Sequence, residues 1–159
     1  MDQKAKQKVM RLVTNGMYVL TSRSGEKYGA ATITWVSQAS FKPPLLMAAL
    51  RKDGNVFQCL SESKVAVLHV LAADQQDLAQ KFFAKTSYSE GHLNGEPFSS
   101  GINSAPVLTN LRAYLECSVV EISDKHGDHA LVLLEATEAA FHGAVEPLTV
   151  TRSPWEYGG

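Results

Sequence analysis

The stretch GAATITWVSQASFKPPLLMAALRKDGN, residues 29–55, sets the architecture of this chain. In its first half Ala31, Ile33 and Trp35 alternate with Thr32, Thr34 and Val36. A strand sends successive side chains to opposite faces, so the pattern predicts one strand over residues 27–38. Pro43 and Pro44 both lack an N–H and cannot lie in a central strand, so they mark a corner. The apolar run 45–50 (LLMAAL) is the next strand. Asp53-Gly54-Asn55 then opens a helix predicted over 55–61, with Val56, Phe57 and Leu60 toward the core.

The flanks extend the same pattern. Residues 17–22 (MYVLTS) are strand formers, and the turn at 23–26, with Gly25 free to take positive φ, makes a hairpin with 27–38. Residues 3–13 carry a weak helical signal, with Val9, Met10 and Val13 able to share a face. Residues 65–71 (VAVLHVL) form a strand in which His69, among apolar neighbours, reads as a satisfied histidine rather than a ligand. Asp74 is the predicted N-cap of a helix carrying Leu78 and Phe82 at i, i+4. Residues 84–106 read as a loop, long enough to suggest a function. In 111–123, Leu111, Ala113, Leu115 and Cys117 alternate with Arg112, Tyr114, Glu116 and Ser118. A turn at 124–128 leads to the return strand 129–141. At least six strands in antiparallel hairpins, with short helices in the crossings, predict a closed or partly closed barrel.

With 159 residues, 45% of them apolar, the chain can bury a sizeable core and reads as one domain, 1–159. A net charge of -1 gives no overall electrostatic case for nucleic acid or an anionic membrane. The two cysteines, Cys59 and Cys117, lack CxxC spacing and read as buried small residues. The polar, basic start is not a secretory signal, and no apolar run is long enough to cross a bilayer, so a cytoplasmic location is expected. No GxGxxG, GxxxxGK or GxSxG motif is present.

Three constellations carry candidate chemistry. Arg51-Lys52 precede a helix start, where free N–H groups and partial positive charge favour a phosphate; the alternative is a solvated charge pair with Asp53. His126 and His129 are three apart, but no third ligand stands near them, so no metal site is expected. His129 at a strand start, facing a cofactor and oriented by Asp128, is the better use. Trp35, Phe82, Phe83, Trp155 and Tyr157 suit stacking on a planar ring; core packing is the alternative and is expected for Phe82.

Taken with LAADQQDLAQKFF (71–83), GHLNGEPF (91–98), SAPVLTNLRAYLECSVVE (104–121), GDHALVLLE (127–135) and SPWEYGG (153–159), the 32–55 segment resembles the flavin reductase-like family, in its flavoredoxin-like branch. The resemblance implies a mainly β fold with short helices, a six-stranded antiparallel split barrel of the FMN-binding type. It implies a homodimer with FMN, or FAD, near the subunit interface. It further implies a nicotinamide co-substrate, NADH or NADPH, giving hydride to flavin N5, and a monooxygenase or other electron acceptor downstream. The alternative is a non-catalytic FMN electron carrier. By the same resemblance Thr32, Thr34, Trp35, Val36, Ser37, Gln38 and Ser40 line the isoalloxazine and ribityl chain. Arg51 and Lys52 approach the phosphate with Asn55. Phe83 and Lys85 lie near the flavin, His129 lies where a nicotinamide docks, and Trp155 covers the ring. One departure stands out: Leu134 precedes Glu135 where family members often have Gly, which implies a narrowed nicotinamide approach.

Overall fold

The computed structural model describes residues 1–158. Three helices, α1 (Gln3–Arg11), α2 (Asn55–Ser63) and α3 (Gln76–Lys81), accompany eleven strands among these residues. The strands are β1 (Tyr18–Ser24), β2 (Lys27–Ile33), β3 (Val36–Ser40), β4 (Leu45–Arg51), β5 (Val65–Val70), β6 (Tyr88–Ser89), β7 (His92–Leu93), β8 (Glu96–Ser100), β9 (Pro106–Leu108), β10 (Ala113–Ser123) and β11 (His129–Phe141). Seven make one antiparallel sheet in the order β2-β1-β5-β10-β11-β4-β3, and β6–β9 make a smaller one. None of the helices is long and apolar enough to cross a membrane.

The strand predicted over 27–38 is two strands. It breaks at Thr34-Trp35, where the Val36 N–H turns back to the Thr34 carbonyl at 3.1 Å and the Trp35 carbonyl accepts from the Ala49 N–H at 2.9 Å. Six expected strands therefore become seven in the main sheet. The consequence is topological: β2 and β3 are the two outer edges of that sheet, yet only two residues join them. Three Cα steps reach at most about 11 Å, so the sheet must curl until its edges meet there. The covalent chain, not a hydrogen-bond ladder, joins the two edges, so the barrel is not closed, which is the split barrel expected.

The inner face of the rolled sheet buries Leu20, Ala48, Leu50, Leu68, Val132 and Leu134, and α2 plugs it with Val56 and Leu60. That helix sits close to β2: a Cβ on Gly29 would lie 2.5 Å from the Val56 Cα, so only glycine fits. A second cluster, Val19, Leu71, Phe82, Leu93, Leu108 and Leu148, joins the main sheet to the small one. His69 is fully buried at this junction. The Leu108 N–H donates to its Nε2 at 3.0 Å, which fixes Nδ1 as the protonated nitrogen donating to the Val19 carbonyl at 3.0 Å. Burial holds the imidazole neutral and lowers its pKa to about 4.

Other local expectations are corrected. Asp74 does not cap α3; Gln75 takes that position while the Asp74 carboxylate pairs with Arg112 at 2.7 Å. The loop expected at 84–106 contains β6, β7 and β8, joined through Glu90-Gly91 and Asn94-Gly95. All four residues of these turns have positive φ, as two-residue hairpin turns require. The strict alternation of 111–123 fails at a bulge between Glu116 and Cys117, so both are buried. The Glu116 carboxylate there accepts from the Asn103 N–H at 2.9 Å. Cys59 and Cys117 are both buried and free, and burial pushes the Cys117 thiol up to about 12. α1 forms as predicted, but none of its residues is buried.

Candidate functional site

Where the sheet edges meet, a cavity of about 800 Å³ opens. The break between β2 and β3 forms one wall with Thr32, Thr34 and Trp35, and the end of β4 supplies Arg51. The first turn of α2 supplies Asn55, the 82–86 segment adds Phe83 and Lys85, the start of β11 adds His129, and the 153–157 stretch adds Trp155 and Tyr157. Ten residues singled out on sequence grounds thus meet on one cavity.

Their polar atoms differ in what they still lack. The Thr32 hydroxyl donates to the Ala79 carbonyl at 2.7 Å. The Thr34 hydroxyl is buried and has no hydrogen-bond partner, the one such buried side-chain atom among the described residues. A buried polar atom left unpaired costs about 1–3 kcal/mol, a cost that a hydrogen-bonding partner would relieve. Trp35 lies against His129, with ring centroids 4.6 Å apart and planes at 44°. The His129 Nδ1 sits 2.7 Å from an Asp128 carboxylate oxygen, leaving Nε2 as the nitrogen for another partner. The interaction holds the exposed Asp128 carboxyl below its ordinary range.

On the strand beside His129, Arg51 forms a fork with Asp53, at 3.0 and 2.7 Å. The pair raises the guanidinium's pKa and lowers the carboxyl's, as a mutual charge-assisted contact must. Beside it Gly54, the N-cap of α2, offers no side-chain cap, so the first-turn N–H groups next to the cavity lack a side-chain acceptor. Arg51 is also the cross-strand partner of His129 in the β4–β11 ladder, which sets the guanidinium and the imidazole side by side on one rigid element.

Five expected residues lie elsewhere. Lys52, one position past Arg51, turns away. Its ammonium donates to the carbonyls of Asp124 and Gly127 and pins the β10–β11 turn. Val36 and Ser37 line a second cavity of about 460 Å³ on the other side of Trp35, while Gln38 and Ser40 line neither. β3 carries these four away along the far edge of the sheet. Leu134 is fully buried in the barrel core and leaves the cavity approach open, contrary to the narrowing expected. Among the described residues no three His, Cys, Asp or Glu side chains are grouped to hold a metal.

The exposed Arg51–Asp53 fork is the charge pair set against a phosphate site on sequence grounds. Sequence reasoning missed Glu156, for which no sequence signal exists.

Comparison with known proteins places this geometry. A 133-residue match to diflavin flavoprotein A 1 of Synechocystis sp. is 32% identical and covers 82% of this chain, but only 23% of the relative. The chain thus spans less than a quarter of the length of that relative. The flavin reductase component of a bacterial two-component tryptophan halogenase superposes with a TM-score of 0.78 at 22% identity, over 99% of this chain and 98% of that one. The NADH:FAD oxidoreductase of Streptomyces globisporus superposes with a TM-score of 0.77 at 23% identity, over 92% and 81%. At these identities the superpositions speak to the fold. The model of the flavin reductase like domain matches residues 10–155, almost the whole chain, and this protein belongs to that family.

Proposed function

We propose that the chain binds FMN in the 800 Å³ cavity and acts as an NAD(P)H:flavin oxidoreductase. The observation that carries the reading is the buried, unpartnered Thr34 hydroxyl on the wall beside Trp35. The cavity's volume lies within the range of small-molecule sites. Its lining combines aromatic and hydroxyl groups with a cation and an uncapped helix start. That set suits a planar ring joined to a phosphate.

Bound flavin supplies two-electron redox chemistry that none of these side chains can perform. The chain's own groups bind and orient. Thr34 would hydrogen-bond the ring or ribityl chain, and Trp35 and Trp155 would exclude water from it. The α2 N-terminus, Arg51 and Lys85 would hold the phosphate. Arg51 is already paired, so a phosphate would share or displace Asp53. His129, with Nδ1 committed to Asp128, would present Nε2 to a nicotinamide carboxamide. NADH is named for the Streptomyces globisporus structure, and an electron acceptor is implied by the two-component halogenase. The reading extends both to this chain, together with a homodimer that places FMN near its interface.

The test is NADH and NADPH oxidation by the purified protein with added FMN. Turnover well above the buffer rate supports the reductase. FMN that binds without any oxidation of either nicotinamide would make the chain an electron carrier instead. Protein that fails to bind FMN would remove both readings.

A further inference from the structure

The 153–158 segment borders the cavity, contributing Ser153, Trp155, Glu156 and Tyr157 to its lining. Trp155 meets Phe83 edge-on at 4.8 Å, and Tyr157 lies 5.6 Å from Trp35, the residue that also contacts His129. The segment's outer attachment is Arg11, the last residue of α1. Its guanidinium donates to a Glu156 carboxylate oxygen at 2.6 Å and to the Gly158 carbonyl at 3.3 Å. Glu156 is 77% exposed at this contact, and α1 buries no residue of its own. The attachment is therefore an exposed ion pair on a helix that little packing holds, which is an easily broken connection. Tyr157 also belongs to the partition between the two cavities, since both are lined by Trp35, Ala49 and Tyr157.

Of the aromatic groups on the Trp35–His129 wall, Tyr157 is the one carried by this loosely attached segment. A second planar reactant must approach that wall if His129 is to hold it. We infer that the 153–158 segment is a gate latched by Arg11–Glu156, and that Tyr157 occupies the place taken by the nicotinamide when the gate opens. The inference rests on the flavin reading for its second half; the latch itself does not. The gate keeps the wall dry between reactants and makes access dependent on ionic strength, because an exposed pair is screened by salt.

The gate can be read without any flavin. The chain has two tryptophans, so Trp155→Phe leaves Trp35 as the only one and retains an aromatic ring against Phe83. In that background, acrylamide quenching of Trp35 should rise in Glu156→Gln and Arg11→Gln and rise further in Tyr157→Ala. Salt should raise it in the parent and not in the latch variants. Glu62→Gln, which breaks the similarly exposed Lys27–Glu62 pair, should leave it unchanged. With FMN added, the KM for NADH should fall roughly two- to fivefold in the latch variants while kcat is retained, the scale on which exposed pairs act. Quenching that follows the Glu62→Gln control overturns the gate. Quenching that rises with no change in KM overturns the place given to Tyr157. An absence of FMN binding in the parent would instead remove the flavin reading, and the quenching experiment would still decide whether the latch exists.

Discussion

His69, within the rolled sheet, and Thr34, at the break between two of its strands, are both buried polar residues, and they differ in one respect. At the junction of the two sheets, both ring nitrogens of His69 are used, one as donor and one as acceptor. On the cavity wall, the Thr34 hydroxyl has nothing. The first region completes its hydrogen bonding from within the chain, and this fixes the fold. The second leaves a group unmet, and this is where the proposed function puts its ligand. Arg51 stands between them: it is paired, but with Asp53 at the surface, a partner that a phosphate can replace.

The largest expected effect tests the completed region. His69→Leu strands the Val19 carbonyl and the Leu108 N–H and should cost roughly 3 kcal/mol or more in urea unfolding. Acid should act on the same residue. The unfolded imidazole titrates near 6.5 and the folded one at about 4, so between these values the unfolded chain binds more protons. The contribution is fully present above that window and is lost as pH falls through it, by about 2 kcal/mol between pH 7 and pH 5. A His69→Leu variant that still folds should lack this portion of the pH dependence.

Next comes the replaceable partner. Arg51→Ala should weaken FMN by about 2 kcal/mol and riboflavin little, the scale of a charge-assisted contact. Asp53→Asn, which removes a competing carboxylate, should tighten FMN. Equal losses for both ligands in Arg51→Ala would take the phosphate away from this residue. The unmet group follows. Thr34→Val should weaken FMN and riboflavin alike by about 1 kcal/mol and leave the ligand-free protein as stable or more stable, because it removes an orphaned hydroxyl. The smallest effect is Lys52→Ala, expected to leave FMN affinity unchanged, since its ammonium already serves the β10–β11 turn.

Much of this was legible in residues 17–71: the first hairpin, the Pro43-Pro44 corner, β4 and the start of α2 fall where turn chemistry and apolar spacing put them. The break at Thr34-Trp35 was not. Thr, Ile, Trp and Val are all good strand formers, and no glycine or proline interrupts them, so only the meeting of the sheet edges reveals the break. The same break explains why half of the flavin segment misses the cavity: everything from Val36 onward follows β3 along the far edge. Lys52 was misplaced because one residue of offset at a strand end sends a side chain the other way. The small sheet was missed despite its signal, the Asn94-Gly95 pair that favours a two-residue hairpin. The Arg11–Glu156 contact joins residues 145 positions apart and left no trace in local pattern.

The most direct test is an equilibrium titration of flavin-free protein with FMN, run in parallel on wild type and Thr34→Val alongside their unfolding curves. The cavity reading requires saturable binding that is weaker in Thr34→Val, with unfolding no easier. Undiminished FMN binding in a Thr34→Val protein of unchanged stability would show that the unmet hydroxyl is not where the ligand sits.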